Sequence, residues 1–146
     1  MLKLQAITAH DREILQDTSY GSLANDEWKQ LLSESVSKSH NHRYFELFKV
    51  IDGDTVVGCM NLYAHSQRII SCGPEIKPQY RKQGYAYEAE TLALEMAKAF
   101  GFTIAVAYIR ETNSASIRLH EKLGFELDQD FVNAHKKEMR LYIKAL

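Results

Sequence analysis

The stretch "YRKQGYAYEAE", Tyr80 to Glu90, sets two cations, one glycine and one small residue directly ahead of a helix-like run. The first turn of a helix carries backbone N–H groups without intrahelical acceptors and a partial positive charge. Arg81 and Lys82 add to that field, Gly84 lets a ligand approach the backbone, and Ala86 adds almost no bulk. The chemistry these residue types support at this spacing is anion binding. Other constellations point less far. "SHNHRY" contains His40 and His42 without further ligands at metal-site spacing, so no metal centre is expected. Cys59 and Cys72 are too few for a disulfide scaffold and are spaced unlike a zinc motif. They are expected to be reduced, inert thiols, facing one another across adjacent strands if the turn between them centres between His65 and Ser66.

The anion loop needs a strand before it and a helix after it. "RIISCGPEI" supplies the strand, and its Gly73-Pro74 pair predicts a distortion or one unpaired side. From Tyr85, the residues Ala89, Leu92, Ala93, Met96, Ala97 and Phe100 recur at helical spacing, with Gly101 as the stop. "FTIAVAYI" is a nearly continuous apolar run, as expected of a strand buried on both faces, and completes a βαβ crossover. "NSASIRLHEKLGF" predicts a further helix capped by Asn113 or Ser114 and ended at Gly124, and "KKEMRLYIKA" alternates as a closing strand. Upstream, "LKLQAI" alternates as a first strand, while "HDREILQDTSYG" and "LANDEWKQLLSESVSKS" look helical, the latter capped near Asn25 or Asp26. "YFELFKVIDGDTVVGCMNLYA" predicts a hairpin turning at Asp52-Gly53. These elements imply a mixed sheet flanked by helices.

The bulk properties fit one domain over residues 1–146: 45% hydrophobic, 25% charged and a formal net charge of -1, without repeats or linkers. Nucleic-acid binding is not expected from that balance. "MLKLQAITAHDREI" has no basic segment leading into a long apolar one, so a cytoplasmic protein without membrane association is expected.

Two segments in fixed order carry a resemblance. "RKQGYA" matches the Q/R-x-x-G-x-G/A acyl-CoA-binding motif of the GNAT superfamily of N-acetyltransferases, and "NSASIRLHEKLGF" matches the N-x-x-S/A-x-x-L-x-x-K-x-G-F segment that follows it there. The chain resembles that family closely from about Ile69 to Phe125, and "GYAYEAETLALEMA" looks like the branch containing the ribosomal-protein alanine N-acetyltransferases. The resemblance implies an α+β fold, a GNAT-like mixed α/β arrangement whose mostly antiparallel sheet has a splayed central strand pair. It implies an N-acetyltransferase that moves an acetyl group from acetyl-CoA, without a metal, to a primary amine of a small molecule or a peptide or protein N-terminus. Transfer would be direct, in a ternary complex. The pyrophosphate would lie on the amides around Lys82, Gln83, Gly84, Tyr85, Ala86 and Tyr87, with Arg81 adding positive field. The pantetheine arm would bond to the splayed strand at Ile76, with Lys77 and Pro78 leading into the loop. Asn113 and Ser116 would join the cofactor-binding set, Asn113 either bonding the pantetheine or a nearby water or simply capping its helix.

Attack of an amine on a thioester needs a base for the ammonium and is helped by an acid for the thiolate. His120 stands where the family often has a Tyr acid, and a protonated imidazole is competent for that step; the plainer reading is a helix-surface histidine. Some relatives carry a basic Glu on the splayed strand, where this chain has Ser71; Glu75 is the available carboxylate, with water chains to His42, His65 or Glu111 as alternatives. These departures keep a second reading open, a non-catalytic acyl-CoA-binding sensor of the same fold. A Rossmann-type nucleotide domain is disfavoured because "RKQGYA" lacks the G-x-G-x-x-G spacing. Acceptor recognition falls to the N-terminal helices and "DQDFVNAHKKEM". Acidic Asp17, Asp26, Glu27 and Glu34 either suit a cationic amine or form solvated helix faces. The expected partners are acetyl-CoA and an amine, in a monomer or homodimer.

Overall fold

The computed structural model describes residues 1–146. The chain runs β1 (Leu2–Ala6), α1 (Asn25–Ser37), β2 (Phe45–Asp52), β3 (Thr55–Ala64), β4 (Ile69–Ile76), α2 (Tyr85–Ala99), β5 (Ile104–Arg110), α3 (Ser114–Lys122), β6 (Glu126–Val132) and β7 (Glu138–Ala145). The strands form one sheet in the order β1-β2-β3-β4-β5-β7-β6. Every neighbouring pair is antiparallel except β4 and β5, which the α2 crossover makes parallel. One face of the sheet packs Ala89, Ala93 and Ala97 of α2 and Ile117 of α3 against residues such as Val50, Leu62 and Ile70. The other face carries a smaller cluster in which Trp28 of α1 meets Leu15, Leu47 and Cys59. No helix is long and apolar enough to cross a membrane.

The feature that matters for function is where β4 and β5 part. They pair only at Ile69 with Ile104 and at Ile70 with Ala105. The Ile69 carbonyl accepts from His65 N–H at 2.8 Å, and Lys77 N–H donates to the Val57 carbonyl at 2.9 Å. Odd-numbered residues of β4 therefore turn their backbone toward β3, and even-numbered Cys72, Pro74 and Ile76 turn theirs into the gap. Pro74 sits on the side where no ladder bond is available, so its missing N–H costs nothing. The expected distortion is this splay.

Several local expectations change. "HDREILQDTSYG" forms three short 3-10 turns, at Ala9–Asp11, Glu13–Leu15 and Ser19–Ser22. Thr8 and Thr18 interrupt a helix there, because their hydroxyls accept from the His10 and Tyr20 amides. Helix α1 is entered from Ala24, whose N–H donates to Glu27 Oε1 at 2.8 Å, while Asn25 Oδ1 accepts from Arg12. Val36 of α1 is exposed. Strand β5 is not buried on both faces, since Ile104 and Tyr108 are exposed. "DQDFVNAHKKEM" contains most of an unexpected strand, β6, an almost fully exposed edge with no apolar alternation to announce it. Cys59 lies opposite Glu75 and Cys72 opposite Leu62, so the thiols do not face one another; the hairpin centres near Gln67. Both are buried and free, and burial pushes the Cys59 thiol up to about 12.

Where β3 passes the end of β4, a Cβ on Gly58 would stand 2.2 Å from the Glu75 carbonyl oxygen, a backbone atom that cannot swing away. Gly58→Val, which otherwise suits a strand, is expected to lower stability by about 2–3 kcal/mol through this overlap, measured by urea denaturation. A neutral result would show that the two strands separate freely at this point.

Candidate active site

Strand β4 leads into α2 through a short turn at Pro78–Tyr80, an extended Arg81, and left-handed residues at Lys82 (φ 62°) and Gly84 (φ 84°). Arg81 Nε donates to the Ile76 carbonyl at 3.1 Å, fixing the loop to the end of β4. The first α2 amide with an acceptor is Glu88, bonded to the Gly84 carbonyl at 3.2 Å; the amides of Gly84, Tyr85, Ala86 and Tyr87 have none in the chain. A Cβ on Gly84 would meet nothing within 4 Å, so the space beside Gly84 is open. Tyr85 ties the helix start to the β2–β3 turn, its hydroxyl donating to Asp52 Oδ2 at 2.6 Å. From α3, Lys122 Nζ lies 4.3 Å from the centre of the Tyr87 ring. Four unpaired amides flanked by Arg81, Lys82 and Lys122 suit a pyrophosphate.

The loop opens into a cleft of about 670 Å³ bounded by Ile76, Tyr87, Asn113 and Leu119. Pro74 borders this cleft and also a second cavity at the splay, which Ser71, Tyr108, Ser116 and His120 line. The two spaces therefore meet at Pro74, on the unpaired side of β4. On the vertex, His65 Nε2 lies 2.8 Å from Ser71 Oγ, and Asn61, bonded to the Tyr20 hydroxyl at 3.2 Å, lies over Gly73.

The structure brings Ile76, Arg81, Lys82, Gly84, Tyr85, Ala86, Tyr87 and Asn113 to the first cleft and places Ser116 with His120 at the second. Gln83 lies between the two left-handed residues, and Pro78 begins the short turn. Four of the expected site residues have side-chain partners of their own. Glu75 borders the first cleft, and its carboxylate accepts from Ser19 N–H at 2.7 Å and from the Ser19 hydroxyl, holding the N-terminal segment. Lys77 is buried and turned away from the loop, its Nζ 3.2 Å from Asp17. Asn113 Oδ1 accepts from Ser116 N–H, the plain cap. His120 is neither a surface residue nor a free acid. It is buried, with Nδ1 2.7 Å from the Ser116 carbonyl and Nε2 2.9 Å from Glu90 Oε1.

Glu90 is a residue that sequence reasoning missed; it lies thirty positions from its partner, on a helix face where the repeat of small and apolar residues hides it. Only 1% exposed, it leaves Oε2 without a partner. Burial raises the Glu90 pKa. Burial also pulls His120 down, but the Glu90 carboxylate and the Ser116 carbonyl outweigh it and hold the imidazole above its ordinary value. The pair thus keeps a shared proton and clamps α3 to α2.

An "Acetyltransferase (GNAT) domain" signature matches residues 2–126. The chain belongs to the GNAT acetyltransferase family. No curated protein sequence matches it. Among solved structures, a chimera of the Vibrio cholerae spermidine N-acetyltransferase SpeG with hSSAT superposes with a TM-score of 0.83 at 17% identity, over 98% of this chain and 95% of that one. A GNAT-family acetyltransferase from Bacillus anthracis gives 0.83 at 17%, over 99% and 94%. The Vibrio cholerae spermidine N-acetyltransferase in complex with CoA and spermine gives 0.78 at 17%, over 99% and 95%. The mixed, mostly antiparallel sheet with its parallel splayed pair is the GNAT fold. The finer resemblance, to the ribosomal-protein alanine branch, is not among these matches.

The clamp in this GNAT domain has a pH signature. Because His120 and Glu90 both have folded-state pKa values above their ordinary ones, the stabilisation is complete below the ordinary values and is lost as pH rises through the folded ones, when a bare carboxylate is left buried. His120→Ala is expected to cost about 3–5 kcal/mol near neutrality, by stranding Glu90. Urea denaturation between mildly acidic and mildly alkaline pH should show wild-type stability falling, and Glu90→Gln/His120→Gln should remove that part of the slope. An unchanged slope in the double variant would contradict the shared proton.

Proposed function

We propose that this GNAT domain transfers the acetyl group of acetyl-CoA directly to a primary amine, with both substrates bound together. The observation that carries the reading is the succession of four unpaired amides at the start of α2, the free edge of β4, and a cavity at the splay that shares Pro74 with the cleft below the amides. Gly84, Tyr85, Ala86 and Tyr87 would hold the pyrophosphate through their amides, with Arg81, Lys82 and Lys122 supplying positive charge. The Pro74 carbonyl and Ile76 N–H would bond the pantetheine amides as an added strand would. The N–H of Cys72, aimed into the gap nearest the vertex, would polarise the thioester carbonyl and stabilise the oxyanion that forms on attack. His120 serves here as a positioning residue, since a buried pair that gave up its proton would be left with a net charge.

The acceptor we infer is a monoamine, either a small molecule or a peptide N-terminus. No carboxylate lines the splay cavity. Asp17 is engaged by Lys77 and by Gln79 at 3.1 Å, Glu27 by the Ala24 amide, and Glu34 by His40, while Asp26, which has no such partner, is an exposed residue of the first turn of α1 and does not line the cavity. A polycation such as the spermine bound in the Vibrio cholerae structure would find little free negative charge at this cavity.

Two measurements test this. Calorimetry with CoA should show Gly84→Val weakening binding by about tenfold or more with a modest stability loss of about 1–2 kcal/mol from its left-handed φ, because the new side chain points into the cleft rather than into the core. Thiol release from acetyl-CoA should be faster with benzylamine or an alanine-initiated peptide than with spermidine. Unchanged CoA affinity would remove the site; CoA binding with no turnover on any amine would favour the sensor; preference for spermidine would overturn the monoamine assignment.

A further inference from the structure

An amine acceptor arrives as an ammonium ion and must lose a proton before it can attack a thioester. Three side chains lining the splay cavity titrate: Cys72, Tyr108 and His120. Cys72 is a buried thiol whose pKa is pushed far up by burial, so it does not ionise to accept a proton. Tyr108 is a phenol with an O–H to donate. His120 has both nitrogens committed, to Ser116 and Glu90. One route out of the cavity is left. Ser71 Oγ lies on the cavity wall, and His65 Nε2 stands 2.8 Å behind it.

We propose that Ser71 and His65 form the proton exit of the acetyl transfer, with Ser71 Oγ touching the amine and His65 taking the proton through it. This rests on the acetyl-transfer reading above. The ammonium N–H proton passes to Ser71 Oγ as the Ser71 O–H proton passes to His65 Nε2, which leaves a neutral amine, an unchanged hydroxyl and an imidazolium. The amine lone pair then forms the C–N bond, the C–S bond breaks with its electron pair on sulfur, and the remaining excess proton on nitrogen passes to the thiolate. His65 returns its proton to water. No second protein acid is required.

The surroundings of His65 keep it able to accept. Its ring stands edge-on to Tyr63 of β3 at 5.1 Å and to Tyr108 of β5 at 5.7 Å. The charged group that reaches it is Arg43, ahead of β2, and no carboxylate pairs with it. Burial first, and Arg43 second, hold its pKa below the ordinary value near 6.5, so the ring is neutral at neutral pH. In the tautomer that carries its proton on Nδ1, Nε2 offers its lone pair to the Ser71 hydroxyl.

The test compares wild type, His65→Gln and Ser71→Ala with two amines, benzylamine and the far less basic trifluoroethylamine. With benzylamine, wild-type kcat/KM should fall on the acid side through a limb below about pH 6.5. Both variants should lose about a hundredfold near neutrality and exchange that limb for a steady rise toward the pKa of the amine. With trifluoroethylamine, already neutral near pH 7, the loss should shrink to a few-fold, which a purely structural defect would not produce. Equal losses with both amines, or an acid limb retained in His65→Gln, would overturn the proton exit while leaving acetyl transfer intact. Absence of turnover in wild type with both amines would overturn acetyl transfer and the exit with it.

Discussion

The pairing of β4 with β5 stops after two residues, and most of what the molecule can do follows from that. A parallel pair continued along β5 would consume the backbone groups of Cys72, Pro74 and Ile76; stopping it leaves a ladder edge in the middle of the sheet. Such an edge costs free energy unless water or a ligand bonds to it. Here the cost is reduced by two local choices. Pro74 brings no donor to the unpaired side, and the Ile76 carbonyl is taken by Arg81. What remains is a short set of donors and acceptors spaced like a strand, leading from the helix start to the vertex. The same Arg81 contact aims the phosphate loop, so the edge and the loop are held as one unit.

Keeping the gap open requires that α3 stay docked on α2, and apolar packing shares that work with one buried pair. His120 and Glu90 lie between Cys72 and Phe125, whose ring stands edge-on to the imidazole at 4.9 Å. A buried ion pair is seldom stabilising against an apolar substitute, so its use here is better understood as fixing one arrangement of two helices that flank the cleft. The other wall is held by polar contacts of the N-terminal segment, Ser19 with Glu75 and Asp17 with Lys77. Both carboxylates thereby have partners within the chain. The groups that remain near the vertex are neutral ones, an amide, a serine and two aromatic rings, and the relay through His65 follows from that shortage.

Much of this was legible in the sequence where local pattern and geometry coincide. The run from Arg81 to Tyr87 announces its anion site because glycine, small residue and helix start are adjacent in the chain, and Gly73-Pro74 announces the splay for the same reason. The crossover was readable from one long helical repeat between two apolar strands. Whatever depended on distant partners was not. Glu90 looked like one more polar residue of a helix, and only the fold sets it against His120. Glu75 and Lys77 were placed in the site by proximity along the chain; Glu75 does border the cleft, yet the partners of both side chains, Ser19 and Asp17, lie nearly sixty residues earlier. Strand β6 had no signal because an exposed edge strand has no buried face to alternate toward. The 3-10 turns were masked by a helix-like composition that Thr8 and Thr18 override.

The central claim is that unpaired backbone, rather than side chains, makes the acyl-CoA site. Amide hydrogen exchange read residue by residue, with and without saturating CoA, addresses it directly. The account predicts new protection at Gly84, Tyr85, Ala86 and Tyr87 and at the Ile76 amide, with little change at the odd-numbered amides of β4 that already bond to β3. Protection confined to other surfaces, or equal protection of both edges of β4, would contradict it.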